Sequence, residues 1–124
     1  MPLLRHLLLV VACAFSLSTP ATALTPSSAV VTTDQVRAEL LAHAPEGVAP
    51  GKPLWLGLAI DHAPHWHTYW KNPGDSGLPT TLEWSLPPGF VAGDIEWPTP
   101  RKLPVGPLMN FGHEGRLLLP VRVT

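Results

Sequence analysis

The stretch His62-Ala63-Pro64-His65-Trp66-His67-Thr68-Tyr69-Trp70-Lys71-Asn72-Pro73-Gly74-Asp75-Ser76-Gly77-Leu78-Pro79 gathers imidazole, indole, phenol and carboxylate groups more densely than its surroundings. Three chemistries fit these residue types. His65 and His67 lie two apart, so on a strand they would project from one face and share a metal ion. Copper accepts imidazole and thioether, which adds His62, His113 and Met109 as candidate ligands. A pair of histidines on the polar face of a strand, with Trp66 and Thr68 behind it, accounts for the same spacing without an ion. A second chemistry is recognition: Trp66, Tyr69 and Trp70 offer rigid stacking area to a sugar or a peptide. In a small domain with five tryptophans, most of that area is also wanted in the core. The third is proton transfer, with His65 or His67 as general base and Asp75 as partner. No nucleophile or oxyanion arrangement accompanies them, and Asn72-Pro73-Gly74 and Asp75-Ser76-Gly77 read as turns in which glycine permits positive φ.

The elements that must position this stretch are short. Val36, Ala38, Leu40 and Ala42 alternate with Arg37, Glu39 and Leu41, which predicts a strand over 35–42; a short helix capped by Asp34 is the rival reading. Leu54, Leu56, Leu58 and Ile60 alternate with Trp55, Gly57 and Ala59, a second strand with large residues on both faces. Leu82, Trp84 and Leu86 oppose Thr81, Glu83 and Ser85, a third strand over 80–86. Phe90 to Trp97 is a further extended segment, and Leu117, Leu119, Val121 and Val123 mark a last strand over 116–124. Ala44 to Pro53 and Pro98 to Gly115 are rich in proline and glycine and read as loops. The 16 prolines argue against long helices. The expected architecture is all-β, an immunoglobulin-like antiparallel β-sandwich, and a chain that stops inside a strand predicts a domain incomplete at its C-terminus.

The start of the chain predicts an address. Arg5 and His6 precede an uncharged apolar run from Leu7 to Leu17, and Ala21-Thr22-Ala23 is a small-x-small cleavage site. That run of about 11 residues falls short of the roughly 20 a membrane span needs. Residues 1–23 therefore read as a secretory signal peptide, 24–34 as a linker and 35–124 as the domain. Val10-Val11-Ala12-Cys13 offers a competing lipobox, but the apolar run continues past Cys13 and a better cleavage site follows. Cleavage near Ala23 carries away Cys13, the only cysteine, leaving no thiol for a disulfide, a thiolate metal site or a nucleophile. Arg5 leaves too, so seven basic residues face nine acidic ones, and no basic stripe exists to hold nucleic acid.

The run Trp66-His67-Thr68-Tyr69-Trp70-Lys71-Asn72-Pro73-Gly74-Asp75-Ser76-Gly77 resembles the hallmark of the N-terminal periplasmic domain of thiol:disulfide interchange proteins of the DsbD type, in particular the ScsB-like branch. Leu54 to Ile60, Leu86-Pro87-Pro88-Gly89-Phe90 and Gly115-Arg116-Leu117-Leu118-Leu119-Pro120-Val121 add to the likeness, which covers Gln35 to Thr124. The resemblance implies an immunoglobulin-like sandwich in the periplasm, without a cofactor, carrying a cysteine pair. That pair would take electrons from a membrane-embedded domain and pass them to periplasmic thiol proteins, with a thioredoxin-like domain as a further partner. In such relatives the pair follows the last strand seen here, so no residue of this chain is expected to be catalytic. By position Trp66, Tyr69 and Trp70 match the aromatic stretch near the cysteines. Leu103, Pro104, Val105 and Gly106 fall in the loop that caps them, although the aromatic cap residue itself is not matched.

Overall fold

The computed structural model describes residues 29–124, and the signal-peptide and lipobox readings at residues 1–23 lie outside that span. Among the described residues there are strands but no helix: β1 (Val30–Thr32), β2 (Val36–His43), β3 (Leu54–His62), β4 (Thr68–Gly74), β5 (Ala92–Ile95), β6 (Arg101–Val105), β7 (Leu108–His113) and β8 (Arg116–Val123). They form a five-stranded sheet in the order β1-β2-β3-β8-β5 and a three-stranded sheet in the order β4-β7-β6, with antiparallel pairing throughout the named strands. The expectation of an all-β, two-sheet sandwich is met.

The large sheet follows directly from period-two patterning. In β3 the even-numbered residues face inward, and in β8 the odd ones do, because Leu58 stands opposite Leu119 and Ile60 opposite Leu117. Ile60, Leu117 and Leu119 form the buried cluster, with Val36, Leu58, Ile95 and Trp97 packed against it. Val121 and Val123 are fully sealed from solvent. Gly57 sits between Leu41 and Pro120 in the ladder. A Cβ there would lie 2.9 Å from Leu118 Cδ1, so the missing side chain lets Leu118 lie across β3 on the outer face. The helical alternative near Asp34 is not what forms. Thr33 Oγ1 accepts the amides of Gln35 (3.2 Å) and Val36 (3.1 Å), a hydroxyl-stabilised turn that sends β1 back along β2. β1 itself lies within the stretch read as linker.

Three local readings are corrected. Pro98 to Gly115 is not an irregular loop but contains the β6–β7 hairpin, in register from Arg101↔Gly112 to Val105↔Leu108. Its turn-like residues have strand-compatible uses: Pro104 lies on an edge strand, where a missing amide is tolerated, Gly106 turns the hairpin at φ 56°, and Gly112 brings β7 against Thr68 O so closely that no side chain fits. Asn72-Pro73-Gly74 is not a free turn but the end of β4, whose register against β7 shifts between Tyr69 and Gly74. Thr80 to Leu86 is extended, with alternating exposed and half-buried side chains, yet it makes no ladder. Pro79, Pro87 and Pro88 bound it, and its backbone is tied only at Thr80, whose amide reaches Tyr69 O at 3.4 Å.

Candidate functional site

The chemistry-bearing stretch begins where β3 ends. His62 is the last residue of β3, and its Nδ1–H donates to Gly115 O at 2.6 Å. Its Nε2 lies 3.0 Å from Thr68 Oγ1 and accepts the hydroxyl proton when the ring is neutral. One imidazole thus ties β3, the turn before β8 and the first residue of β4 together. From Ala63 the chain turns: Trp66 N–H donates to Ala63 O at 3.0 Å, and His65 adopts φ 70°, the only non-glycine residue with positive φ among those described. Left-handed backbone at such a residue costs free energy and persists only where its surroundings impose it.

That turn undoes the strand geometry expected of His65 and His67. His65 is not on a strand, so the two-residue spacing does not place the rings side by side on one face. Both line a shallow depression along β6 with Arg101 and Lys102, a poor setting for a cation. His62 and His113 are engaged with the backbone instead. Met109 lies four residues along β7 from His113, roughly 13 Å at about 3.3 Å per residue. Among the described residues no group of three or more histidine, cysteine or acidic side chains is placed to hold a metal ion. The five-residue copper set is not assembled.

The three aromatics occupy different environments. Trp66 is 50% exposed at the turn. Tyr69 is half-buried: its ring meets His67 edge-on at 5.0 Å and packs on Gly77 so closely that a Cβ there would clash with the ring. Trp70 is half-buried with Lys71 Nζ 5.4 Å from its ring centre, and its indole N–H is sealed without a partner.

Gly74 to Gly77 is held by β7. Asp75 Oδ2 accepts Met109 N–H at 2.7 Å, and Asp75 N–H donates back to Met109 O at 3.0 Å. Asn110, fully buried, accepts Ser76 N–H at 2.9 Å on its Oδ1 and donates from Nδ2 to Ser76 Oγ at 3.0 Å. Asp75 therefore serves the backbone rather than orienting His65 or His67, and the acid–base reading finds no dyad. Asn110 was not among the candidate residues, because the stretch around it reads as loop.

Leu103 is buried opposite Asn110, while Pro104, Val105 and Gly106 form the exposed arm and tip of the hairpin. The hairpin thus presents an apolar edge beside the 65–67 turn, the two sharing one depression. Behind it, His113 is 6% exposed and stacks on Trp97 at 6.5 Å and 15°. Burial pulls its pKa below the ordinary 6.5; the Pro98 carbonyl accepting from Nε2 at 3.3 Å works against this, and the nearby His62 adds to it.

The fold and its ordered β4–β7 corner define a two-sheet, immunoglobulin-like domain whose polar side chains position its loops. Its family follows: residues 37–124 match the family described as thiol:disulfide interchange protein DsbD, N-terminal, and the chain belongs to that family. The crystal structure of the N-terminal periplasmic domain of ScsB from Proteus mirabilis shares the fold, with a TM-score of 0.61 and 21% identity over 79% of this chain. The chain spans 40% of the length of that structure. No match was found among curated proteins.

Proposed function

We propose that this chain is the N-terminal part of a periplasmic protein-disulfide reductase, acting in recognition while the electron-carrying thiols lie elsewhere in the reductase. The observation that carries this reading is the family match across residues 37–124. Electrons in such a relay move when a thiolate attacks a disulfide sulfur through a mixed disulfide. Residues 24–124 contain no cysteine, so they cannot make that attack. In this reading the first 23 residues direct export and are removed. Trp66, at the surface, and the hairpin arm Pro104-Val105-Gly106 meet partner proteins: the membrane-embedded and thioredoxin-like domains of the reductase, and periplasmic thiol proteins. Tyr69 and Trp70 hold that surface from behind.

The reading frame beyond codon 124 tests the relay. A cysteine pair followed by several hydrophobic spans is the expected result; a stop codon with no such frame overturns it. Export is tested separately by fusing residues 1–23 to a reporter active only outside the cytoplasm: loss of activity is expected when Leu8 and Leu9 are replaced by arginine, whereas bulky residues at Ala21 and Ala23 should leave an active but uncleaved fusion.

A further inference from the structure

Two depressions on the surface meet at Arg101 and Glu114. One, about 410 Å³, runs along β6 beneath His65 and His67, with Lys102 on its rim and Leu103, Pro104 and Val105 as its apolar side. The other, about 300 Å³, opens between Arg101 and Arg116 over His113. Because Arg101 and Glu114 line both, the two form one extended groove.

Its charge is lopsided. Arg101, Lys102 and Arg116 line the groove, and Glu114 is the sole carboxylate on either side. Elsewhere most cations are engaged: Arg37 reaches Glu39 at 3.0 Å and Asp61 at 3.9 Å, Lys52 reaches Glu46 at 3.5 Å, and Lys71 rests on Trp70, while Arg122 stands unpaired outside the groove. The three groove cations have no ion pair or hydrogen bond among the described residues. Asp61 stands opposite Arg116 in the β3–β8 register, yet its carboxylate approaches Arg37 instead. A chain whose net charge is −1 thus places three of the four unpaired cations among its described residues along one groove. Such a field steers and orients an oppositely charged partner.

We propose that this groove docks an acidic, partly apolar peptide segment of a partner protein. The cations are spread along two adjoining depressions rather than converging on one point, which favours an extended chain of carboxylates over a single phosphate. The exposed Pro104 and Val105 give the groove an apolar side that an inorganic polyanion leaves unused but that accommodates aliphatic side chains between the acids. β6 is the outer strand of its sheet, so the approach to the groove is open. The strained His65 turn forms its far wall. The inference stands on charge and shape, and it does not require the disulfide relay.

The test uses the full chain and a short fluorescein-labelled peptide of glutamates interspersed with leucine, followed by anisotropy. Arg101→Glu should weaken binding about tenfold or more, and raising salt from about 50 to about 200 mM should weaken the wild type as well. Arg122→Glu reverses an unpaired cation outside the groove and should change affinity by no more than about twofold. All these side chains are exposed, and unchanged circular dichroism confirms that the fold persists. Equal losses in the two variants would reduce the effect to net charge and overturn the proposal. So would equal binding of the glutamine-for-glutamate peptide, or displacement of the peptide by tripolyphosphate at equal total charge. Absence of peptide binding removes the groove's role and leaves the reading-frame test of the reductase untouched.

Discussion

The two sheets are held together by different physics. In the five-stranded sheet β3 pairs with β2 and β8 in unbroken register, and inward leucines meet across the ladder at Leu58 and Leu119. In the three-stranded sheet the β4–β7 register breaks between Tyr69 and Gly74, and side chains close the gap: Asp75 on Met109 N, and Asn110 on Ser76. One sheet owes its stability to apolar area, which is non-directional and tolerant. The other depends on a few directional bonds, which cost most when one partner is removed. The surface-bearing turn and the hairpin belong to the second, and the cationic groove runs from its β6 onto β8 of the first.

If apolar burial governs the large sheet, Leu119→Ala should be the most damaging single truncation, because Leu119 has no exposed surface. A loss of about 2–5 kcal/mol is expected in urea unfolding, with the slope against denaturant unchanged. A loss below about 1 kcal/mol would mean that the core closes over the cavity and that the large sheet is not the scaffold described. Asn110→Ala probes the other side of the comparison. It leaves Ser76 N–H and Oγ without their buried partner, which should cost about 1–3 kcal/mol. Hydrogen exchange should quicken in β4 and residues 74–77 while β3 and β8 keep their protection. Equal loss of protection in both sheets would dissolve the distinction between them.

The same difference decided what the sequence could reveal. Period-two runs in β2, β3 and β8 are legible because a single contact, side chain against core, repeats along each strand. The small sheet hides because its strands are written in turn residues: Pro104 at an edge, Gly106 at the hairpin, Gly112 where β7 approaches Thr68 too closely for a side chain. Thr80 to Leu86 shows the converse. Its burial alternates as its sequence predicts, but a strand also needs a neighbour for its amides, and no local pattern announces that none is there. At the site, the dense His62–Pro79 stretch did mark where the chain's unusual geometry lies. Its histidines did not disclose their partners, since His62 bonds to a carbonyl 53 residues away and His113 to one 15 residues back. Asn110 carried no signal at all, being one polar residue in a stretch that looked irregular.

A smaller effect distinguishes the corner where the two sheets meet. His113, on β7, stacks on Trp97, which packs against the core cluster of the large sheet. Burial lowers its folded-state pKa below 6.5, so the unfolded chain takes up the proton more readily. Stability therefore rises with pH in this window. The contribution of the neutral ring is complete above 6.5 and is lost as pH falls through 6.5 towards the lower folded value. His113→Gln can keep a donor towards the Pro98 carbonyl and cannot ionise. Unfolding free energies measured from about pH 7.5 down to pH 5.5 should fall more steeply in the wild type than in this variant. Parallel slopes would assign the acid sensitivity to other groups and leave His113 a packing residue only.

The smallest effect separates display from support within the aromatic turn. Trp66 is half in solvent, so Trp66→Ala should cost less than about 1 kcal/mol, as exposed substitutions generally do. Trp70 is half-buried, with its indole nitrogen sealed, and Trp70→Ala should cost clearly more, approaching the ~3 kcal/mol at the lower end for buried aromatics. The pair is best compared in one unfolding series, because Trp66 lies in the β3–β4 connection and Trp70 in the strand that follows it. If Trp66→Ala proves as costly as Trp70→Ala, the exposed indole is part of the scaffold, and the turn is no longer free to meet a partner. If Trp66→Ala is nearly silent in stability, the side chain is retained at the surface without a folding role. That is the condition the recognition reading requires of it, and it places the boundary between display and support in the short stretch between Trp66 and Trp70.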